Sequence, residues 1–161
     1  MHARAAGVSA EKAEHPALEA LVCGLKLLIF CWSGYGADAI FHARKGVAEH
    51  SHLRGTVSVW LPALEARAAA LVGEAAAAAA AVDQAARRRE AVEPDDLDEL
   101  GDLLTFPAEK EPYYRVETDV LLGQTTAGTV PDAGRGVEAF TGPAASPWAS
   151  SPQPSRRRRV R

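Results

Sequence analysis

Apolar positions run almost unbroken through residues 21–32, where only Gly24 and Lys26 interrupt a stretch of Leu, Val, Ile, Phe, Cys and Trp. Pro16 suits a first helical position, since its missing N–H has no partner to lose there. The pattern therefore predicts a helix over residues 16–32, apolar on nearly every side after Glu19 and so buried against other elements or inside an oligomer. Gly34 and Gly36 end it. Asp38 and Gly46 bracket a shorter helix, and residues 50–55 read as a turn. Residues 56–61 then alternate, with Val57, Val59 and Leu61 on one side, the strand pattern of the first half. A strand needs a partner; residues 116–122, rich in Val and Leu, supply one and give a minor two-stranded ribbon, marginal alone.

The clearest expected element is a single helix over residues 62–92, opened by Pro62, stopped by Pro94 and carrying seven consecutive alanines, the best helix formers. Leu64, Ala68, Leu71, Ala75, Ala78, Val82 and Ala86 recur at spacings of three and four, a stripe small enough for another helix to approach closely. An acidic helix follows to about residue 104, with Asp95, Asp96 and Asp98 complementing the positive end of its dipole and Leu97, Leu100, Leu103 and Leu104 forming its apolar stripe. From Thr125 the composition turns to Gly, Pro, Ser, Thr and Ala; such a segment buries too little apolar surface to offset its ordering entropy and is expected to be disordered. The fold class that results is mainly α: a small helical bundle or hairpin built on one long alanine-rich helix, with the minor ribbon and a C-terminal tail. The expected organisation is a flexible terminus over 1–12, a helical domain over 13–122 and a tail over 123–161.

Composition changes this picture in two ways. Hydrophobic residues make up 47% of the 161, but many are alanines, which bury little area each, so the core is expected to be modest. The net charge of −3 hides an uneven distribution. Residues 1–92 hold 10 basic and 9 acidic groups, residues 93–119 hold 2 and 10, and residues 133–161 hold 6 arginines against Glu138. A neutral body thus carries an acidic block and a basic tail, pointing to an interaction tail or to contact between the two segments. The apolar run at 21–32 is too short for a bilayer span of about 20 residues, and Lys26 with Glu11, Glu14 and Glu19 argues against a signal peptide. The expectation is a soluble intracellular protein, with a nuclear location open for a eukaryotic or viral source.

Candidate chemistry is sparse. Leu100, Leu103 and Leu104 form an L-x-x-L-L box that resembles the leucine boxes by which coactivators dock onto nuclear receptors. The resemblance implies helix-in-groove recognition, leucines filling a groove and acids meeting a basic rim, against packing of the same leucines onto this chain's own helix. Arg156, Arg157, Arg158, Arg159 and Arg161 form a basic run suited to nucleic acid, to an acidic surface or to nuclear import, because guanidinium groups pair with phosphates and release counterions. Arg87, Arg88 and Arg89 complement a helix C-terminus instead. His42, His50 and His52 with Glu49 have the residue types of a metal site, without a cysteine or further acid at a recognisable spacing; we assign no metal and no cofactor. Cys23 and Cys31, eight residues apart on one helix, are about 12 Å apart along its axis, too far for a disulfide, and read as free buried thiols. The chain contains no nucleophile elbow, phosphate-binding loop or dinucleotide fingerprint in the right context. The expected role is a non-catalytic helical protein-protein interaction or adaptor protein, possibly self-associating by its apolar first helix. The alternatives are a nucleic-acid or acidic-surface binder anchored by the arginine run, and a small thiol or metal enzyme using Cys23, Cys31 or the histidines.

Overall fold

The structure is a computed structural model that describes residues 2–141, apart from 102–103, 125–126 and 128. Among the described residues it holds eight α-helices and no strand: α1 His2–Ala13, α2 Pro16–Trp32, α3 Gly36–Glu49, α4 Val57–Leu71, α5 Ala75–Glu90, α6 Asp96–Glu99, α7 Glu111–Leu121 and α8 Thr129–Thr141, with a 3₁₀ turn at Ala108–Lys110 before α7. The mainly helical expectation holds. None of these helices is long and apolar enough to cross a membrane.

The centre of the fold is α4, which packs against α2, α3, α5 and α7. Every residue from 57 to 64 is buried, Ser58 and Trp60 as well as Val57, Val59 and Leu61. That is why the expected strand at 56–61 is wrong. A helix covered on all sides has no polar face, so its period cannot be read from hydropathy, and β-branched valines at alternate positions imitate a strand. Its supposed partner at 116–122 is largely α7, so the ribbon does not form.

The single helix expected over 62–92 is also corrected: it is a hairpin of α4 and α5. The reversal is a Schellman turn, in which Gly73 N–H donates to the Ala70 carbonyl at 3.0 Å and Glu74 N–H to the Ala69 carbonyl at 2.9 Å. Gly73 supplies the left-handed backbone this needs, with φ +78°. Gly34 ends α2 in the same way, Tyr35 N–H reaching the Phe30 carbonyl at 3.0 Å. Pro62 does not open a helix but lies inside α4, where it has no N–H to give the Ser58 carbonyl one turn back. Such an interior proline costs about 3 kcal/mol, a penalty offset here by burial all round.

Small residues let the helices approach closely. A Cβ on Gly24 of α2 would lie 2.4 Å from the Trp60 ring, and one on Gly46 of α3 would lie 2.7 Å from Cys23 Sγ. On α5, Ala78, Ala81 and Ala85 form the buried face. Charged groups also enter the interior. Arg67 Nη2 of α4 meets Glu117 Oε1 of α7 at 2.8 Å, with side chains 11% and 21% exposed. Burial pushes the Glu117 carboxyl above its ordinary range, against the opposing pull of Arg67. Glu65, held near Arg44 at 3.9 Å, is raised for the same first reason, burial, with Arg44 pulling it down.

Two helices lie toward the chain ends. Within the segment read as a flexible terminus, His2–Ala13 form α1, which packs on α2. Part of the segment read as a disordered tail forms α8, whose Thr129 hydroxyl donates to Asp119 Oδ2 at 3.0 Å. Residues 142–161 lie outside the described residues.

Two outcomes follow for stability. Gly24→Ala is expected to lower stability by about 1–3 kcal/mol through overpacking against Trp60, read as a fall in the thermal unfolding midpoint. A Glu65 pKa raised on folding means the folded chain holds that proton more tightly than the unfolded one. Stability is then lost as pH rises from the ordinary value of 4.5 through the raised one, and is flat above it. Glu65→Gln removes this loss while Arg44 keeps its pairing with Glu74. Denaturant unfolding across that window should therefore show the variant gaining on the wild type as pH rises.

Candidate functional site

The acidic leucine segment does not form the surface helix its pattern predicts. Its helical part, α6, has four residues, and Gly101 follows with φ +101°. Leu97 is 3% exposed and belongs to the core, whereas Leu100 is 72% exposed. Leu104 lines a groove shared with α2 and α4, and Leu103 lies outside the described residues. The described leucines thus lie in different environments. The acids are largely occupied by the fold. Asp95 accepts from Leu97 N–H and Asp98 N–H, both at 3.0 Å. Asp98 accepts from Asp95 N–H at 3.2 Å, closing a capping box. The Asp98 carboxylate also takes Thr56 N–H at 3.0 Å and the Thr56 hydroxyl, placing negative charge at the start of α4. Thr56 Oγ1 in turn accepts from Phe106 N–H at 2.9 Å.

Two of the three arginines of α5 serve the fold likewise. Arg88 Nη1 donates to the Ser51 carbonyl at 2.7 Å, tying the turn after α3. Arg89 donates to the Phe106 carbonyl at 2.6 Å and pairs with Glu111. Arg156, Arg157, Arg158, Arg159 and Arg161 lie outside the described residues.

Two features remain. The first is a polar cavity of about 470 Å³ between α1, α2 and α3. His42, His50, His52 and Glu49 all line it, joined by Cys23, Lys26, Lys45, Glu11 and Glu19. The sequence groups the histidines with Glu49; Lys45 joins them from α3 itself, and the packing of α1 and α2 adds Glu11, Cys23 and Lys26. His42 stacks on Phe30 with ring centroids 4.9 Å apart, and Lys45 pairs with Glu49 at 3.6 Å. Burial lowers the His50 pKa and, with Glu49, raises that of the Cys23 thiol. Cys31, buried in the core near Arg67 and Glu117, is raised chiefly by burial too. Neither cysteine is in a disulfide. Among the described residues no three His, Cys, Asp or Glu side chains are grouped so as to hold a metal ion.

The second feature is the outer face of α2. Leu25 and Ile29 are 45% and 47% exposed and Trp32 is 70% exposed; spacings of four and three put them on one side of the helix. The two charged residues of α2, Glu19 and Lys26, both line the polar cavity instead. Neither charge of α2 therefore lies in the strip. At Leu25 it runs into an apolar groove of about 170 Å³, walled by Leu21, Trp60, Leu104, Phe106 and Tyr114. The uniform apolarity of residues 21–32 gave the signal for this face, without saying which side stays uncovered.

No protein-family model matches the chain, and no curated protein and no solved structure is significantly similar to it.

A thiolate is the reactive form of cysteine, so a raised pKa makes both thiols sluggish. In native buffer near neutral pH, Cys23 and Cys31 are expected to react with a chromogenic disulfide reagent far more slowly than after unfolding in guanidinium. Rapid stoichiometric reaction of the folded chain would return Cys23 and its histidine neighbours to consideration as a catalytic group.

Proposed function

We propose that the protein is a non-catalytic helical interaction protein that self-associates through the outer face of α2. One observation carries this reading: Leu25, Ile29 and Trp32 form an exposed apolar strip on one side of α2, while the two charged residues of that helix, Glu19 and Lys26, line the polar cavity. Contiguous apolar surface of this kind marks contact sites. A strip without charge is self-complementary, as a two-fold interface between identical helices requires, since no like charges meet across the axis. Aromatic residues such as Trp32 are also the side chains on which interface energy concentrates.

Light scattering coupled to size-exclusion chromatography of the full chain tests this. The wild type is expected to run as a dimer that dissociates on dilution. Ile29→Glu and Trp32→Glu are expected to run as monomers with unchanged helical circular dichroism, because an interfacial carboxylate on each copy would be desolvated beside its like. A wild type that stays monomeric at every concentration would sink the reading.

A further inference from the structure

The polar cavity between α1, α2 and α3 has its charges sorted by sign. From α2 it receives Glu19 and Lys26, seven residues apart and therefore on one side of the helix but about 10 Å apart along its axis. The chain reverses at residues 33–35, and Cys23 Sγ stands against Gly46 of α3. The two helices thus run antiparallel with residues 23 and 46 level. That register sets His42 beside Lys26, and Glu49 and His50 beside Glu19. The field at His50 agrees, since Glu49 and Glu19 are the carboxylates that act on its imidazole.

The first helix closes the third side in the same order. Gly7 lies against the Lys26 ammonium, its missing Cβ only 2.7 Å from Nζ. Glu11 follows one turn further along α1, toward Glu19. The cavity therefore has a basic pole, Lys26 with His42, and an acidic pole, Glu11, Glu19 and Glu49. Lys45, between them, is paired with Glu49 at 3.6 Å. Among the described residues Lys26, Glu11 and Glu19 enter no ion pair. Lys26 and Glu19 are also half-buried, and a charge withdrawn from bulk water acts more strongly on a ligand.

Opposite charges held at the two ends of one cavity are complementary to a molecule carrying the reverse pair. The volume of about 470 Å³ falls within the range of small-molecule sites, roughly 300–1,000 Å³. A peptide advances about 3.3–3.6 Å per residue, so a chain of three residues matches the spacing of the poles. An ω-amino acid of the same length carries the same two charges.

We propose that this cavity binds a linear zwitterion, its carboxylate at Lys26 and His42 and its ammonium among Glu11, Glu19 and Glu49. Leu25, Ile29 and Trp32 do not line the cavity, so the site stands whether or not the chain self-associates.

An NMR chemical-shift titration of the isotope-labelled full chain with trialanine tests it. Trialanine is expected to bind, and its amide and its N-acetyl form, each lacking one charge, to bind about tenfold more weakly or worse. Dialanine, too short to reach both poles, should also bind more weakly. Lys26→Gln is expected to remove the preference for trialanine over its amide and to keep the preference over the acetylated form. Glu19→Gln is expected to reduce the second preference and keep the first. The compound ω-aminooctanoate separates the two sources: affinity equal to that of trialanine assigns the site to ω-amino acids, and weaker affinity assigns it to peptides. Absence of any shift with trialanine at millimolar concentration overturns the proposal, as does equal affinity for the free, amidated and acetylated peptides. That comparison uses the wild type alone, so it decides even where a substitution disturbs the fold. A folded Lys26→Gln variant that keeps its full preference for the free carboxylate also overturns it.

Discussion

The fold depends on where Trp60 is placed. Its ring lies against the bare backbone of Gly24 on α2, and its Nε1–H donates to Tyr114 Oη on α7 at 3.0 Å. A buried indole contributes much apolar area but leaves one N–H needing a partner, so both conditions must be met at once. The glycine admits the ring and the tyrosine hydroxyl accepts the indole hydrogen bond. Tyr114 is then fixed edge-on against Phe106, with centroids 5.1 Å apart. The Phe106 carbonyl accepts from Arg89 on α5. From one side chain the constraints run to α2, α4, α5 and α7, and the same residues form the walls of the apolar groove.

The acidic segment shows how a charge block can be structural. Asp98 links the α6 capping box to the start of α4 through Thr56, whose hydroxyl also receives the Phe106 amide. Thr56, Asp95, Asp98 and Phe106 therefore form one network in which nearly every polar atom has a partner, and such networks fix a unique arrangement. Arg67 and Glu117 are less well satisfied, since Arg67 Nε and Glu117 Oε2 are buried without one. Buried pairs of this kind contribute little net stability, while loss of one partner strands the other. In the packing of α7 on α4, Glu117 lies opposite Arg67.

How much of this was legible in the sequence varied with the kind of signal. Pro16 and Gly34 delimit α2 correctly because a proline at a helix start and a glycine past its end act locally. Gly73 carried the same local signal inside the alanine-rich stretch, but helix propensity summed over so many alanines outweighed it in the reading of residues 62–92. The error at 56–61 had another source. Complete burial removes the polar face on which periodicity depends, so Val57, Val59 and Leu61 read as a strand although Ser58 and Trp60 are buried with them. The site was legible in residue types and not in placement. His42, His50, His52 and Glu49 do share one cavity, yet Glu11, Lys26 and Cys23 reach it from α1 and α2, a matter of tertiary packing. Gly101, at φ +101°, follows a helical part of the leucine segment that ends at Glu99.

The polar cavity and the apolar strip are two consequences of one arrangement on α2. A helix this apolar must put Glu19 and Lys26 somewhere hydrated, and the packing of α1 and α3 gives them a common polar space. Placing both charges there keeps them out of the strip formed by Leu25, Ile29 and Trp32. Much of the core is alanine, which buries little area per residue. A chain with a modest core gains proportionally more from each further apolar residue it covers, and anything that binds only the folded state raises its stability by mass action. The proposed association through α2 and the folding of the bundle around α4 would on this argument be linked equilibria, both drawing on the apolar run at residues 21–32.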